Sequence, residues 1–328
     1  MKPTPIKIRR ICCAGVLVLF LSACGGGGGG SGGAATSIDS ASTVVAGMVH
    51  SSGPAAAMPT VCAGFDVGVY SNVDEPMKLS FGRDGALYAG RQPGVRIHRV
   101  APGGATVTEF GPPMVDPDAV LVDAKGAISG RSNSVLVGGG GILAAIFPDQ
   151  TSQVIFNSGF DDVDDMKFDH AGRLLFADDR PLVWVSTGGA PSILVTLPSR
   201  SGSIAIDDDD RIFVAGADGT IRVYNPDGSL ADDSFATGLA GLDTYLAFGS
   251  GRNGFGRGLY VLNGSELLRF NSRGHASRIG SGFTVGPASG TGFTFGPDYA
   301  LYVSDYANNR VLRIARGHGR NTVACPAR

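Results

Sequence analysis

Six apolar residues, Phe81, Val122, Phe168, Ile206, Phe248 and Phe295, each end a short run of alternating apolar and polar residues just before a turn, at intervals of 41, 46, 38, 42 and 47 residues. A second strand-like run follows each of them, at Ala86 to Gly90, Ser134 to Gly138, Arg173 to Ala177, Arg211 to Ala215, Leu259 to Leu262 and Ala300 to Ser304. Third runs come at Arg96 to Val100, Ile142 to Phe147, Leu182 to Val185, Ile221 to Tyr224, Leu267 to Phe270 and Arg310 to Ile314. Period-two alternation, β-branched and aromatic enrichment and turn residues at the breaks mark these as strands. The best-formed unit is SGTGFTFGPDYALYVSDYANNRVLRIARG, Ser289 to Gly317. One such sheet cannot bury its own faces, so several must pack together.

A period near forty residues predicts an all-β, six-bladed β-propeller of four-stranded blades, packed radially so that only short edges remain. A β-sandwich does not need that period, and parallel β-helix repeats are normally shorter. The 51 glycines are about twice the usual share of ~7%, and helix-length periodicity is nearly absent after residue 24. Fourth, outer strands are weaker in the sequence, the better ones being Thr106 to Phe110, Gln153 to Asn157 and Ser192 to Leu197. Repeats two and five carry extra residues, at Gly126 to Asn133 and Ser250 to Gly258.

Lys2, Lys7, Arg9 and Arg10 precede the apolar stretch Ile11 to Ala23, which is too short to span a bilayer and reads as a signal peptide, residues 1–23. Its end, Leu21-Ser22-Ala23-Cys24, resembles the lipobox of bacterial lipoproteins, which implies acylation of Cys24 and a lipid anchor in the cell envelope, at an outer membrane facing the periplasm or the cell surface. The plainer alternative is an ordinary secretory signal with an incidental cysteine. Residues 24–59 are so rich in Gly, Ala and Ser that they read as a flexible tether. The ~37 residues between Cys24 and Cys62 span roughly 35 Å. The propeller is expected over residues 60–328. The formal charge of −2 falls to −6 once the four signal cations are removed, which argues against nucleic acid as a partner; a monomer is expected.

The last repeat lacks a fourth strand of its own, and the segment Thr60 to Tyr70 is expected to supply it. With Cys12 and Cys13 in the signal and Cys24 acylated, Cys62 and Cys325 are left, and in an oxidising compartment they are expected to pair. Two buried free thiols are the alternative.

LYVSDYANNRVLRI, IAIDDDDRIFVAGADGTIRVYNPDG and MKFDHAGRLLFADD resemble repeats of the six-bladed propellers that include NHL-repeat proteins and the gluconolactonase/regucalcin-like family, and the likeness runs over residues 62–325. Propellers of this kind include hydrolases, lyases and pure binding modules, so the resemblance implies a fold before an activity. That family binds one divalent metal through Glu, Asn, Asn and Asp. Matched residue by residue, Asp74 falls at the glutamate, Asp164 at the first asparagine, Gly202 at the second and Asp243 at the catalytic aspartate. The resemblance therefore implies a possible metal set of Asp74, Asp164 and Asp243, with one divalent cation such as calcium as cofactor and Asp243 activating water, although Gly202 offers no side-chain ligand.

The residues themselves place Asp74, Glu75, Asp116, Asp118, Asp161, Asp162, Asp164, Asp165 and Asp243 on or near loops leading into first strands, so one face of the ring is expected to be acidic. Asp and Asn are also ordinary turn formers. The five histidines show no ligand spacing and are expected at the surface, and Trp184 is expected in blade packing. Three roles stay open at this point: binding of a small molecule, glycan or protein at the channel face, metal-dependent lactonase chemistry, or a structural part in an envelope assembly.

Overall fold

A computed structural model describes residues 57–252, 254–286, 290–317 and 322–323. The signal, Cys24, most of the tether and Cys325 lie outside the described residues. Six sheets follow one another along the chain, antiparallel throughout except for one parallel pair at the outer edge of the fifth. Blade 1 is built from Pro76–Phe81, Leu87–Arg91, Ile97–Val100 and Val107–Phe110, and blade 2 from Ala119–Asp123, Ser134–Gly139, Ile142–Ile146 and Ser152–Phe156. Blade 3 comprises Val163–Phe168, Leu174–Asp178, Leu182–Ser186 and Ser192–Thr196; blade 4 comprises Ser201–Ile206, Ile212–Gly216, Ile221–Tyr224 and Leu230–Ala236. Blade 5 holds Thr244–Gly249, Gly258–Asn263, Glu266–Phe270 and Ala276–Ser281, and blade 6 holds Phe293–Phe295, Leu301–Asp305 and Arg310–Arg316.

The six first strands touch their neighbours in a closed cycle, the last against the first, so the sheets form a ring around a channel. Among the described residues there are six apolar clusters, one at each junction between blades. Burial between sheets, at about 25 cal/mol for each Å² of apolar surface, is what holds the ring together. First strands of adjacent blades do not pair as sheets, so their inner edges carry N–H groups that need other acceptors. Channel side chains supply them. The amides of Val122, Ile204 and Leu246 donate to Ser80 Oγ (2.9 Å), Asp165 Oδ2 (3.0 Å) and Ser203 Oγ (3.1 Å), each on the preceding blade.

Ring closure differs in detail from the expectation. The strand that completes blade 6 is Phe65–Asn72, antiparallel to Arg310–Arg316. Thr60–Cys62 is a separate strand on the outer edge of blade 5, next to Thr322–Val323. Ala63 and Gly64 break the two apart, and the positive φ of Gly64 (96°) turns the chain from one sheet to the next. Cys62 is disulfide-bonded and lies beside Val323 in register. Cys62, the described end of this clasp, therefore sits on blade 5, not on the blade that borrows a strand. The inserted residue Phe255, in the long loop of repeat five, is buried against Phe65, Tyr260 and Phe295 and pins the start of the closing strand.

Outer strands of blades 4 and 5 escaped the sequence pattern because they are solvated. Leu230–Ala236, LADDSFA, has five exposed residues in a row, so no alternation marks a buried face. His98 also departs from expectation: it is buried on the third strand of blade 1, where burial first and Arg91 second hold its imidazole below the ordinary value. His170 is exposed, as expected, and bonds Asp210 (2.7 Å).

Candidate functional site at the channel face

Loops into the first strands and loops from second to third strands lie together on one face, joined by main-chain bonds such as Arg91 N–H to Pro117 O (2.9 Å), Ala217 N–H to Arg200 O (2.7 Å) and Gly264 N–H to Asp243 O (2.8 Å). Close backbone approach shapes this face. A Cβ on Gly90 would lie 1.8 Å from Asp118 O, and one on Gly139 would lie 1.7 Å from Asp116 O, so both glycines let the Asp116 to Asp118 loop drop onto the neighbouring strands. Asp116 itself has φ 44°, a left-handed conformation that is uncommon for aspartate.

Carboxylates from blades 2 and 3 meet at the mouth of the channel. Asp162 accepts from the Gly140 amide (3.1 Å), and Asp164 is ion-paired to Arg200 (2.9 Å), which also reaches Asp179. Asp118 carries a buried Oδ1 with no hydrogen-bond partner among the described residues. Burial, then the charges of Asp162 and Asp164, push its carboxyl well above the usual carboxylate range. Deeper in, Asp165 accepts from Lys167 Nζ (2.5 Å), Ser203 Oγ (3.0 Å) and the Met166 amide (2.9 Å). Burial pushes this carboxyl up, but the ammonium groups of Lys167 and Lys78 outweigh it and the net direction is down.

At the centre of the ring stands Lys78, 6% exposed, on the first strand of blade 1. Its Nζ donates to Gly202 O (2.9 Å) on blade 4 and lies 4.9 Å from the centroid of the Tyr245 ring on blade 5. Burial lowers the Lys78 pKa, and the charges of Asp165, Asp164 and Asp118 oppose that shift. Burial also pushes Tyr245 up to about 12.

The four positions matched to a metal set have different surroundings. Asp74 is exposed in the loop before blade 1, Asp164 is engaged by Arg200, Gly202 offers only its carbonyl, and Asp243 is half-buried in the 3-10 turn Gly241–Asp243. Among the described residues no group of three or more His, Cys, Asp or Glu side chains is placed to hold a metal ion. With Lys78 directed at the Gly202 carbonyl, these residues do not fit a divalent cation. Lys78 and Arg200 were not singled out from the sequence. The available signal was Lys78 and Ser80 alternating with Met77, Leu79 and Phe81, which puts a charge on the channel side of an inner strand.

No protein-family model and no curated protein sequence matches the chain. Solved structures do. A gluconolactonase from Xanthomonas campestris superposes with a TM-score of 0.62 at 15% identity, covering 82% of this chain and 99% of that one. The fold is that of the gluconolactonase-like six-bladed propellers. Virginiamycin B lyase from Staphylococcus aureus (TM-score 0.55, 12% identity, 76% of this chain and 98% of that one) and a putative glucose dehydrogenase from Thermus thermophilus (0.55, 15%, 76% and 100%) share it. At such identities the likeness is one of fold, and the chemistry has to be argued from this propeller's own residues.

One consequence concerns pH. A carboxyl whose pKa is raised by folding adds no penalty below its unfolded value; as pH climbs from there to the raised folded value the native state loses stability, and the penalty then stays constant. Asp118→Asn is therefore expected to melt higher than wild type at neutral pH, with the difference shrinking to nothing as pH falls below the usual carboxylate range. Parallel melting curves across that range would show the group is not strained by ionisation.

Proposed function

We propose that the protein is an extracytoplasmic, lipid-anchored propeller that binds a hydroxyl-rich small molecule of the sugar or sugar-lactone class at the acidic mouth of its channel. The observation that carries this reading is Asp118: a buried carboxyl oxygen with no partner among the described residues, on the channel face, amid Asp162 and Asp164. Such a group has hydrogen-bonding capacity that a ligand hydroxyl satisfies by donating to it. Carboxylate-rich mouths favour neutral polyols over anions. The ligand class is taken from the gluconolactonase likeness. Thermal shift and calorimetry with D-gluconolactone and D-glucose should show binding that Asp118→Ala weakens by about tenfold or more, the loss of one hydrogen bond to an ionisable group. No binding to either probe, or equal binding by the variant, removes the reading.

A second reading, a lactonase-type hydrolase, is favoured by the same structural likeness. It predicts D-gluconolactone hydrolysis above the spontaneous rate, and loss of that rate on chelation would restore a metal role for Asp74, Asp164 and Asp243. The assembly reading receives less support: exposed Val69, Val154, Ile193 and Leu230 stand one to an outer strand, on four different blades, and the other two exposed large apolar residues, Val95 and Val115, lie on channel-face loops linked by the Met114 amide to Val95 O (2.7 Å), not on the blade sides.

The cellular address and the clasp belong to the same proposal. Acylation at Cys24 anchors the chain, since more than one acyl chain is needed for stable membrane attachment, and Cys62 pairs with Cys325. Intact mass of the membrane-extracted protein should show the signal removed, acyl chains added, and two further alkylation sites only after reduction. A soluble Cys24→Ala variant is expected; one that stays with the membrane fraction contradicts the anchor.

A further inference from the structure

The binding reading leaves Lys78 without a role, although it is a buried charge surrounded by residues of the other blades. Its ammonium donates to the main chain of blade 4 at Gly202 and lies over the ring of Tyr245 on blade 5, while the charges of Asp165 and Asp164 of blade 3 and Asp118 of blade 2 act on it from beyond ion-pair distance, against that of Lys167. A buried charge is tolerated only when it is paired and hydrogen-bonded. Lys78 has a carbonyl acceptor, an aromatic face and counter-charges, and each comes from a different part of the ring.

We propose that Lys78 is the resident cation of the channel, supplying from within the chain the positive charge that a divalent metal supplies in propellers with a complete ligand set, so that this propeller folds and works without metal. Three observations support it. The carbonyl that holds the ammonium belongs to Gly202, the position at which the resemblance implies a ligand side chain that this chain does not have. Asp164 and Asp165 already have their own cations in Arg200 and Lys167, so neither carboxylate is left to ligate a divalent ion. The space beside the ammonium, lined by Lys78, Lys167, Asp165, Ser203, Tyr245 and Thr291 among others, is about 10 Å³, room for one water, and its lining brings two ammonium groups and a single carboxylate, a set that repels a divalent cation. The role is electrostatic and architectural: one side chain from blade 1 ties it to blades 4 and 5 across the axis.

The test contains no organic ligand, so its failure is distinguishable from failure of the binding reading. Calorimetric titration of the wild-type protein with calcium, magnesium and zinc should give no stoichiometric heat, and a chelator should leave its Tm unchanged. Lys78→Met, which keeps most of the stem without the charge, should lower Tm by roughly 5 °C or more, because the Gly202 carbonyl loses its buried donor and Asp165, Asp164 and Asp118 lose an opposing charge. Lys78→Ala should also melt lower, and calcium should recover part of the loss by entering the space the side chain vacates. The proposal is overturned by stoichiometric calcium binding to wild type, by a wild-type Tm that falls on chelation, by a Lys78→Met variant as stable as wild type, or by a Lys78→Ala variant that calcium leaves unchanged. Should neither variant fold, the wild-type titration and chelation decide it alone.

Discussion

Asp305→Ala is expected to destabilise the propeller by about 3–5 kcal/mol, the cost of breaking a buried ion pair from one side. Asp305 ends the second strand of blade 6 and is 2% exposed; its carboxylate meets the guanidinium of Arg310 at 2.6 Å and also accepts from Asn308 (2.7 Å) and Thr284. Arg310 opens the strand to which the closing strand Phe65–Asn72 pairs, with Asn72 directly opposite. Removing the carboxylate leaves a buried cation where the ring is closed by chain segments far apart in sequence. Equilibrium unfolding in urea measures the loss. Pairing the change with Arg310→Met should recover much of it, since an uncharged pair carries no desolvation penalty. A single-variant loss below about 1 kcal/mol, the range of exposed pairs, would mean that the pair is solvated after all.

Phe176→Ala should cost a similar amount, about 3–5 kcal/mol, through lost transfer energy and the cavity left behind. Phe176 is fully buried on the second strand of blade 3, stacked on Trp184 at 6.1 Å and edge-on to Phe160 at 5.4 Å, within the cluster that joins blades 2 and 3. Trp184 is the only tryptophan, and its Nε1 donates to Asp178 (3.0 Å), so its emission reports this junction alone. The variant should show red-shifted emission together with a lower denaturation midpoint. Unchanged emission with full loss of stability would place the damage elsewhere.

The blades were legible because first, second and third strands bury at least one face. Burial on both faces writes itself into the chain as short apolar runs: PMKLSF, SVLVGG and LLFAD stand out at a regular spacing, and turn residues such as Asp169 mark the breaks, its carboxylate accepting the Arg173 amide at 2.7 Å. Outer strands such as LADDSFA write nothing of the kind, since solvent touches most of their residues. Closure was legible as a shortage of one strand in blade 6. The assignment of Thr60–Cys62 to blade 5 was not, since one glycine in the left-handed region decides it.

The channel face was half legible. Its acidity follows from where carboxylates fall relative to strand starts, and that depends only on the repeat. Which carboxylates are free to act depends on partners from other blades: Asp164 is neutralised by Arg200, 36 residues away, and Asp165 is bonded to Ser203, 38 residues away. The chain by itself determined a six-bladed, four-stranded ring with one acidic face, because burial period and turn chemistry are local. Only the tertiary structure decided that Lys78 stands at the axis beside the Gly202 carbonyl, 124 residues away, and that Asp118 has a buried oxygen with no partner among the described residues. Those are contacts between blades, and the radial packing that creates them has no signature in the order of residues.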